Sequence, residues 1–126
     1  MTDPAAVVRS YLAAFAAGDP DAIAAHVSDD FVNDHASALG ARSDGATAYR
    51  RRLPDFLASM PELRYDVTRV VADGDTVVAA YTLRAAPDGR PVEVRGIMLC
   101  EVVDGRIAAR TDYWDSLGFL RQTGQA

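Results

Sequence analysis

The chain has no lysine, one cysteine, one tryptophan and two histidines. It has no run of about 18 apolar residues, so no membrane span is expected. Cys100 stands alone and cannot form an internal disulfide, which fits a reducing, cytoplasmic setting. Two histidines and one cysteine without clustered ligand spacing argue against a zinc site. No G-x-S-x-G, phosphate-binding glycine-rich loop or dinucleotide fingerprint occurs, so neither cofactor nor metal is implied. All 13 basic residues are arginine, and they face 18 acidic ones. A formal charge of −5 makes a poor non-specific nucleic-acid binder. The only basic run, Arg50-Arg51-Arg52, reads as the solvated face of a helix. Met1-Thr2-Asp3-Pro4 places no basic stretch before an apolar one, so no secretory leader is expected.

What remains describes one globular domain spanning 1–126. Apolar residues make up 49% of the 126 and charged residues 25%, an ordinary balance for a chain that buries its own core. Asp3 and Pro4 suit the start of a helix. Val8, Tyr11, Leu12 and Phe15 follow at i, i+3, i+4 and i+7 as one apolar stripe, and Gly18 stops it. Asp19-Pro20 starts a shorter helix carrying Ile23 and ending near His26-Val27. A third helix is expected from Ser43 or Asp44, with Tyr49, Leu53, Phe56 and Leu57 on its apolar side. Pro54 should kink or break it.

Beyond Leu63 the pattern turns to strands: Tyr65–Ala72, Thr76–Ala85, Pro91–Val103 and Arg106–Trp114. Turn signals lie at Asp73-Gly74-Asp75, Pro87-Asp88-Gly89-Arg90 and Asp104-Gly105. Helices followed by an antiparallel meander predict an α+β fold. Both parities of Pro91–Val103 carry apolar residues, so one face should take the helices and the other a second copy, giving a homodimer.

This order, together with Asp29-Asp30-Phe31-Val32-Asn33-Asp34-His35, Arg95-Gly96-Ile97-Met98, Val103-Asp104-Gly105-Arg106-Ile107 and Asp112-Tyr113-Trp114-Asp115-Ser116-Leu117-Gly118, resembles the SnoaL-like branch of the nuclear-transport-factor-2-like superfamily. Polyketide cyclases, ketosteroid isomerases and limonene epoxide hydrolases belong to it. The resemblance implies a cone-shaped, curved antiparallel sheet wrapped around N-terminal helices, with a deep apolar pocket as the binding site.

Asp112 is the first candidate for chemistry. Strand alternation puts Arg110, Asp112 and Trp114 on one face. A carboxylate beside an indole in an apolar pocket is poorly solvated, which would raise its pKa and suit a general acid or base. The ketosteroid isomerase aspartate is a standard case of such a base. By resemblance, Asp112 matches the acid/base aspartate of the polyketide cyclases. The competing reading is an ion pair with Arg110. A three-residue loop pairing Val102 with Arg106 would set Gly96 opposite Asp112, leaving open space there. The cyclases commonly carry a histidine two positions after this glycine, where this chain has Met98, a pocket or core filler. His35, in a position where the family often lines its pocket mouth with histidine, is the second catalytic candidate. Asn33 is a candidate ligand contact, and Tyr65, Tyr81, Phe56 and Trp114 are candidate pocket walls, with Met98 and Arg110 beside them. Arg95 is expected to pair with Glu93 or Glu101. His26, near a helix C-terminus, reads as structural.

The function expected is therefore cofactor-free acid/base catalysis on a small apolar molecule, of the cyclase or isomerase type. The epoxide hydrolases use an Asp-Arg-Asp set with an Arg-x-Asp pair on one strand, and Arg110-Thr111-Asp112 offers a weak match. Epoxide hydrolysis, with Asp112 and Asn33 positioning water, is thus the alternative, and a non-catalytic binding or dimerisation module is the third.

Overall fold

Asp3 opens the first helix by accepting a hydrogen bond from the Ala5 N–H at 3.1 Å, with Pro4 in the first turn where its missing N–H costs nothing. In this computed structural model the helix, α1, spans Pro4–Ala14 and tightens into a 3-10 turn over Phe15–Ala17. Gly18 ends it at φ 68°, a conformation that glycine adopts without strain. The structure describes residues 3–37 and 39–126; Met1 and Thr2, part of the stretch read for a leader, and Ala38 lie outside them. Helix α2 (Pro20–Ala24) is capped by Asp19. His26, just beyond it, holds the Ala22 carbonyl and bonds Ser10 through its other nitrogen, a structural role as expected.

The chain then departs from the expected order. Val27–His35 is a strand, β1, and Arg42–Asp44 is a second, β2, paired antiparallel to it. Ser43 and Asp44 therefore lie in a strand, and helix α3 begins later, at Ala46–Ser59. Gly45, at φ 92°, turns the chain into it. The helix runs through Pro54 without a break. Strands β3 (Arg64–Asp73), β4 (Thr76–Ala85), β5 (Val92–Val103) and β6 (Arg106–Trp114) follow. A short helix, α4 (Ser116–Gln122), is capped by Asp115.

The six strands form one sheet in the order β2-β1-β6-β5-β4-β3. The meander from β3 to β6 is antiparallel. Strand β1 lies parallel to β6, so the sheet is mixed. This curved, unclosed α+β sheet packs its inner face on α1, whose Val8, Tyr11 and Leu12 are fully buried. Each such large apolar side chain contributes about 1.5–3 kcal/mol on burial. Along β4 and β5 burial alternates cleanly, with Val77, Ala79, Tyr81, Leu83, Val94, Met98 and Cys100 inside.

The β5–β6 hairpin corrects the expected register. Val103 pairs with Arg106 across a two-residue turn, Asp104-Gly105, with φ of 50° and 76°. Two positive φ values are what the right-handed twist of a tight hairpin demands. A bulge then shifts the pairing, so Met98 faces Asp112 and Gly96 faces Trp114.

Candidate active site

Two strands from opposite ends of the sequence build the site. The parallel register of β1 on β6 sets Asn33 beside Arg110 and His35 beside Asp112. Arg110 and Asp112 are both buried, at 3% and 2% exposure. The Arg110 Nη2 donates to Asp112 Oδ2 at 2.7 Å, and Nη1 donates to the Tyr11 hydroxyl at 2.6 Å. The Tyr81 hydroxyl donates to Asp112 Oδ1. Tyr11 and Tyr49 share a further hydroxyl–hydroxyl bond. The guanidinium also lies over the Tyr11 and Phe15 rings, 5.6 and 5.9 Å from their centroids.

This network accounts for two charges held away from water. Burial alone works against the Arg110 cation, but Tyr11, Asp112 and the neighbouring phenols outweigh it and hold its pKa above the usual value. Burial raises the Tyr11, Tyr49, Tyr65 and Tyr81 phenols, so each remains an O–H group at neutral pH. It also pushes the Cys100 thiol up to about 12, which leaves the sulfur unreactive.

His35 is different. Its Nδ1 stands 3.9 Å from Asp112 Oδ2, and its side chain keeps 23% exposure. Burial first, and the Arg110 charge second, lower its pKa to about 4, against the opposing pull of Asp112 and Asp34. At neutral pH the ring is an uncharged imidazole, able to accept a proton.

A cavity of about 260 Å³ opens in front of these groups, lined by Asn33, His35 and Arg110 from the sheet, Phe15 from the N-terminal segment, and Tyr49, Leu53 and Phe56 from α3. Trp114 forms a further wall. Among the described residues, three that line the cavity keep a buried polar atom without a partner: Asn33 Oδ1, Arg110 Nε and Trp114 Nε1. Such atoms cost about 1–3 kcal/mol each until something satisfies them.

The model of the SnoaL-like domain family matches residues 8–110. The chain belongs to the SnoaL-like family. No curated protein matches its sequence. Among solved structures, a Catenulispora acidiphila protein with a ketosteroid isomerase-like fold, in complex with trimethylamine, is similar at 20% identity and a TM-score of 0.87, over 95% of this chain and 93% of that one. An LEH-like epoxide hydrolase of M. tuberculosis is 25% identical with a TM-score of 0.82, over 96% and 92%. A polyketide cyclase candidate from Xanthomonas campestris is 24% identical with a TM-score of 0.82, over 94% and 95%.

Within this SnoaL-like domain, Asn33, His35, Phe56, Arg110 and Trp114 share one cavity. Asp112 stands behind its wall, touching Arg110 and Tyr81. Asp112 is buried, but its carboxylate is not open to the cavity, because both oxygens already accept hydrogen bonds; the competing arrangement, an ion pair with Arg110, is the one that forms. The space expected at Gly96 is filled by the Tyr81 ring. Met98 is fully buried core opposite Asp112 and does not line the cavity, nor does Tyr65, whose ring packs edge-on against Phe15 and Tyr81. Arg95 does not find its expected partners: Glu93 is taken by Arg84, and Glu101 accepts from Thr76. The sequence reading missed Tyr11 as the support of Arg110. It also missed Phe15, Tyr49 and Leu53 as cavity wall, although all four lie on the apolar stripes it identified.

Proposed function

We propose that this SnoaL-like domain is a cofactor-free acid/base enzyme acting on a small apolar molecule, with chemistry beside a carbonyl of the isomerase or cyclase type. The observation that carries it is the His35 imidazole lining the cavity, with its Nδ1 3.9 Å from the Asp112 carboxylate. In this reading the other ring nitrogen, Nε2, removes a proton from the carbon next to the carbonyl. The C–H electrons move into an enolate whose oxygen faces the Arg110 and Trp114 N–H groups. The imidazolium formed is stabilised by Asp112, which Arg110 and Tyr81 hold in place. Returning the proton to a different carbon isomerises the substrate, and attack of the enolate on a second carbonyl closes a ring. The acid/base role first assigned to Asp112 thus passes to His35, with Asp112 as its positioning partner.

The test is α-proton exchange in D2O, followed by proton NMR, over a panel of small ketones and enones. Exchange above background that falls about 10²-fold or more in His35→Gln supports the reading. Wild-type rates no faster than buffer across the panel, or exchange untouched by His35→Gln, would sink it.

Epoxide hydrolysis remains the second reading, favoured by one observation: Asn33 Oδ1, an unpartnered acceptor, lines the same cavity as His35 and could hold a water for attack. Oxygen from labelled water would then appear in a diol.

We also propose a homodimer. Val71, Ile97, Val103 and Tyr113, all 43–52% exposed, fall on the outer sheet face, away from α1. Apolar side chains grouped in this way commonly mark an interface.

A further inference from the structure

We propose that the cavity selects small carboxylic acids, holding the carboxylate at its mouth on Arg52 and an oxygenated, uncharged end inside. The inference rests on the reading of this cavity as a small-molecule site. Arg52 belongs to the basic run first read as a solvated face. It shares one side of α3 with Tyr49, Leu53 and Phe56, and all four line the cavity. Its side chain is exposed and forms no ion pair among the described residues, whereas Arg50, two residues earlier, is held by Asp21 at 2.7 Å. No Asp or Glu is among the residues lining the cavity. A chain of net charge −5 thus presents an unopposed cation at this mouth.

The interior has the opposite preference. The Arg110 charge is already matched by Asp112 at 2.7 Å. An anion pushed inward would meet the Asp112 carboxylate with no free cation to offset it, in a region where charges are weakly screened. What the interior lacks is hydrogen bonding: one acceptor, Asn33 Oδ1, and two N–H donors, Arg110 Nε and Trp114 Nε1, have no partner among the described residues. A hydroxyl can donate to the first and a hydroxyl or carbonyl oxygen can accept from the others. Phe15, Leu53 and Phe56 suit an apolar chain between the two ends. At about 260 Å³ the cavity falls just below the roughly 300–1,000 Å³ usual for drug-sized ligands, so the occupant is small.

Trp114 is the only tryptophan and lines this cavity, so its fluorescence senses an occupant; it also borders a second cavity beside Arg95, and the Arg52→Gln variant assigns the signal to this one. The experiment titrates the full chain at pH 7 with 8-hydroxyoctanoic acid, whose hydroxyl lies at the far end of the apolar chain, and with its uncharged twin, 8-hydroxyoctanamide. The acid should bind about three- to fivefold tighter at low salt, the range of an exposed ion pair. The preference should vanish in Arg52→Gln and in 0.5 M NaCl, and should persist in Arg51→Gln, whose site lies next in sequence but outside the cavity lining. Equal binding of acid and amide, an acid preference retained in Arg52→Gln, or no fluorescence change with either compound would overturn the proposal. Acid-selective binding without any α-proton exchange would remove the isomerase or cyclase reading and leave this inference standing. Exchange on ketones without acid-selective binding would do the reverse.

Discussion

The Tyr81 ring occupies the space that a Cβ at Gly96 would fill, and from there its hydroxyl reaches Asp112. The two residues are direct partners across β4 and β5. Gly96→Ala should therefore push Tyr81 off Asp112 and cost about 1–3 kcal/mol in urea unfolding, as overpacking does. Tyr81→Phe keeps the ring and loses only the donor, for about 1–2 kcal/mol. Because both changes strike one contact, the double variant should lose less than the sum. A Gly96→Ala protein as stable as wild type would show that the sheet yields there.

Arg110 and Asp112 should behave as a buried pair. Removing one partner leaves the other charge without compensation, so Asp112→Leu and Arg110→Met should each cost about 3–5 kcal/mol in stability. A double variant, Arg110→Met with Asp112→Leu, should recover much of that loss. Equilibrium unfolding of the four proteins measures it, and strictly additive losses would contradict the pairing.

The lowered pKa of His35 has a definite sign. Its folded value, about 4, lies below the ordinary 6.5, so between these the unfolded chain holds more protons. The stability this group supplies is complete above 6.5, drains as pH falls toward 4, and changes no further below that. The loss amounts to no more than about 3 kcal/mol. Other carboxylates titrate nearby, so the comparison is between wild type and His35→Gln at pH 4.5 and 7, where the wild type should lose more. For turnover, the same value predicts a flat rate at neutral pH that declines only as pH approaches about 4.

Ile97→Glu tests the outer sheet face. At 43% exposure the substitution disturbs no core contact. Sedimentation should show wild type as a dimer and the variant as a monomer with an unchanged fold by circular dichroism. A wild-type monomer at micromolar concentration would remove the homodimer.

The parts of this molecule that were legible in the sequence are those with one dominant local signal. Asp3-Pro4, Gly18 and Asp19-Pro20 mark helix ends by capping chemistry, and β4 and β6 begin and end where the pattern places them. Strand β1 was hidden because only Val27 and Phe31 are buried along it, four residues apart, a spacing that mimics a helix. Its inward positions further on, Asn33 and His35, are polar because they face the cavity. The Asp104-Gly105 turn was read as part of a three-residue loop rather than a two-residue hairpin, and the bulge behind it had no signal, so the facing residues on β5 were misplaced. The clamp on Asp112 could be anticipated from Arg110, two residues away. Its other half, Tyr81, comes from a strand whose register depends on all the pairings between.

The parallel seam between β1 and β6 has a consequence for the order of folding. Asn33 and His35 are synthesised well before Arg110 and Asp112, with the rest of the sheet between them. An incomplete chain that ends before β6 has no pocket floor, whatever helices it has formed. Joining such distant segments carries a loop-closure cost that the meander alone does not repay. The site should thus mature in the final step, and a ligand added during refolding should steady finished molecules without accelerating their formation.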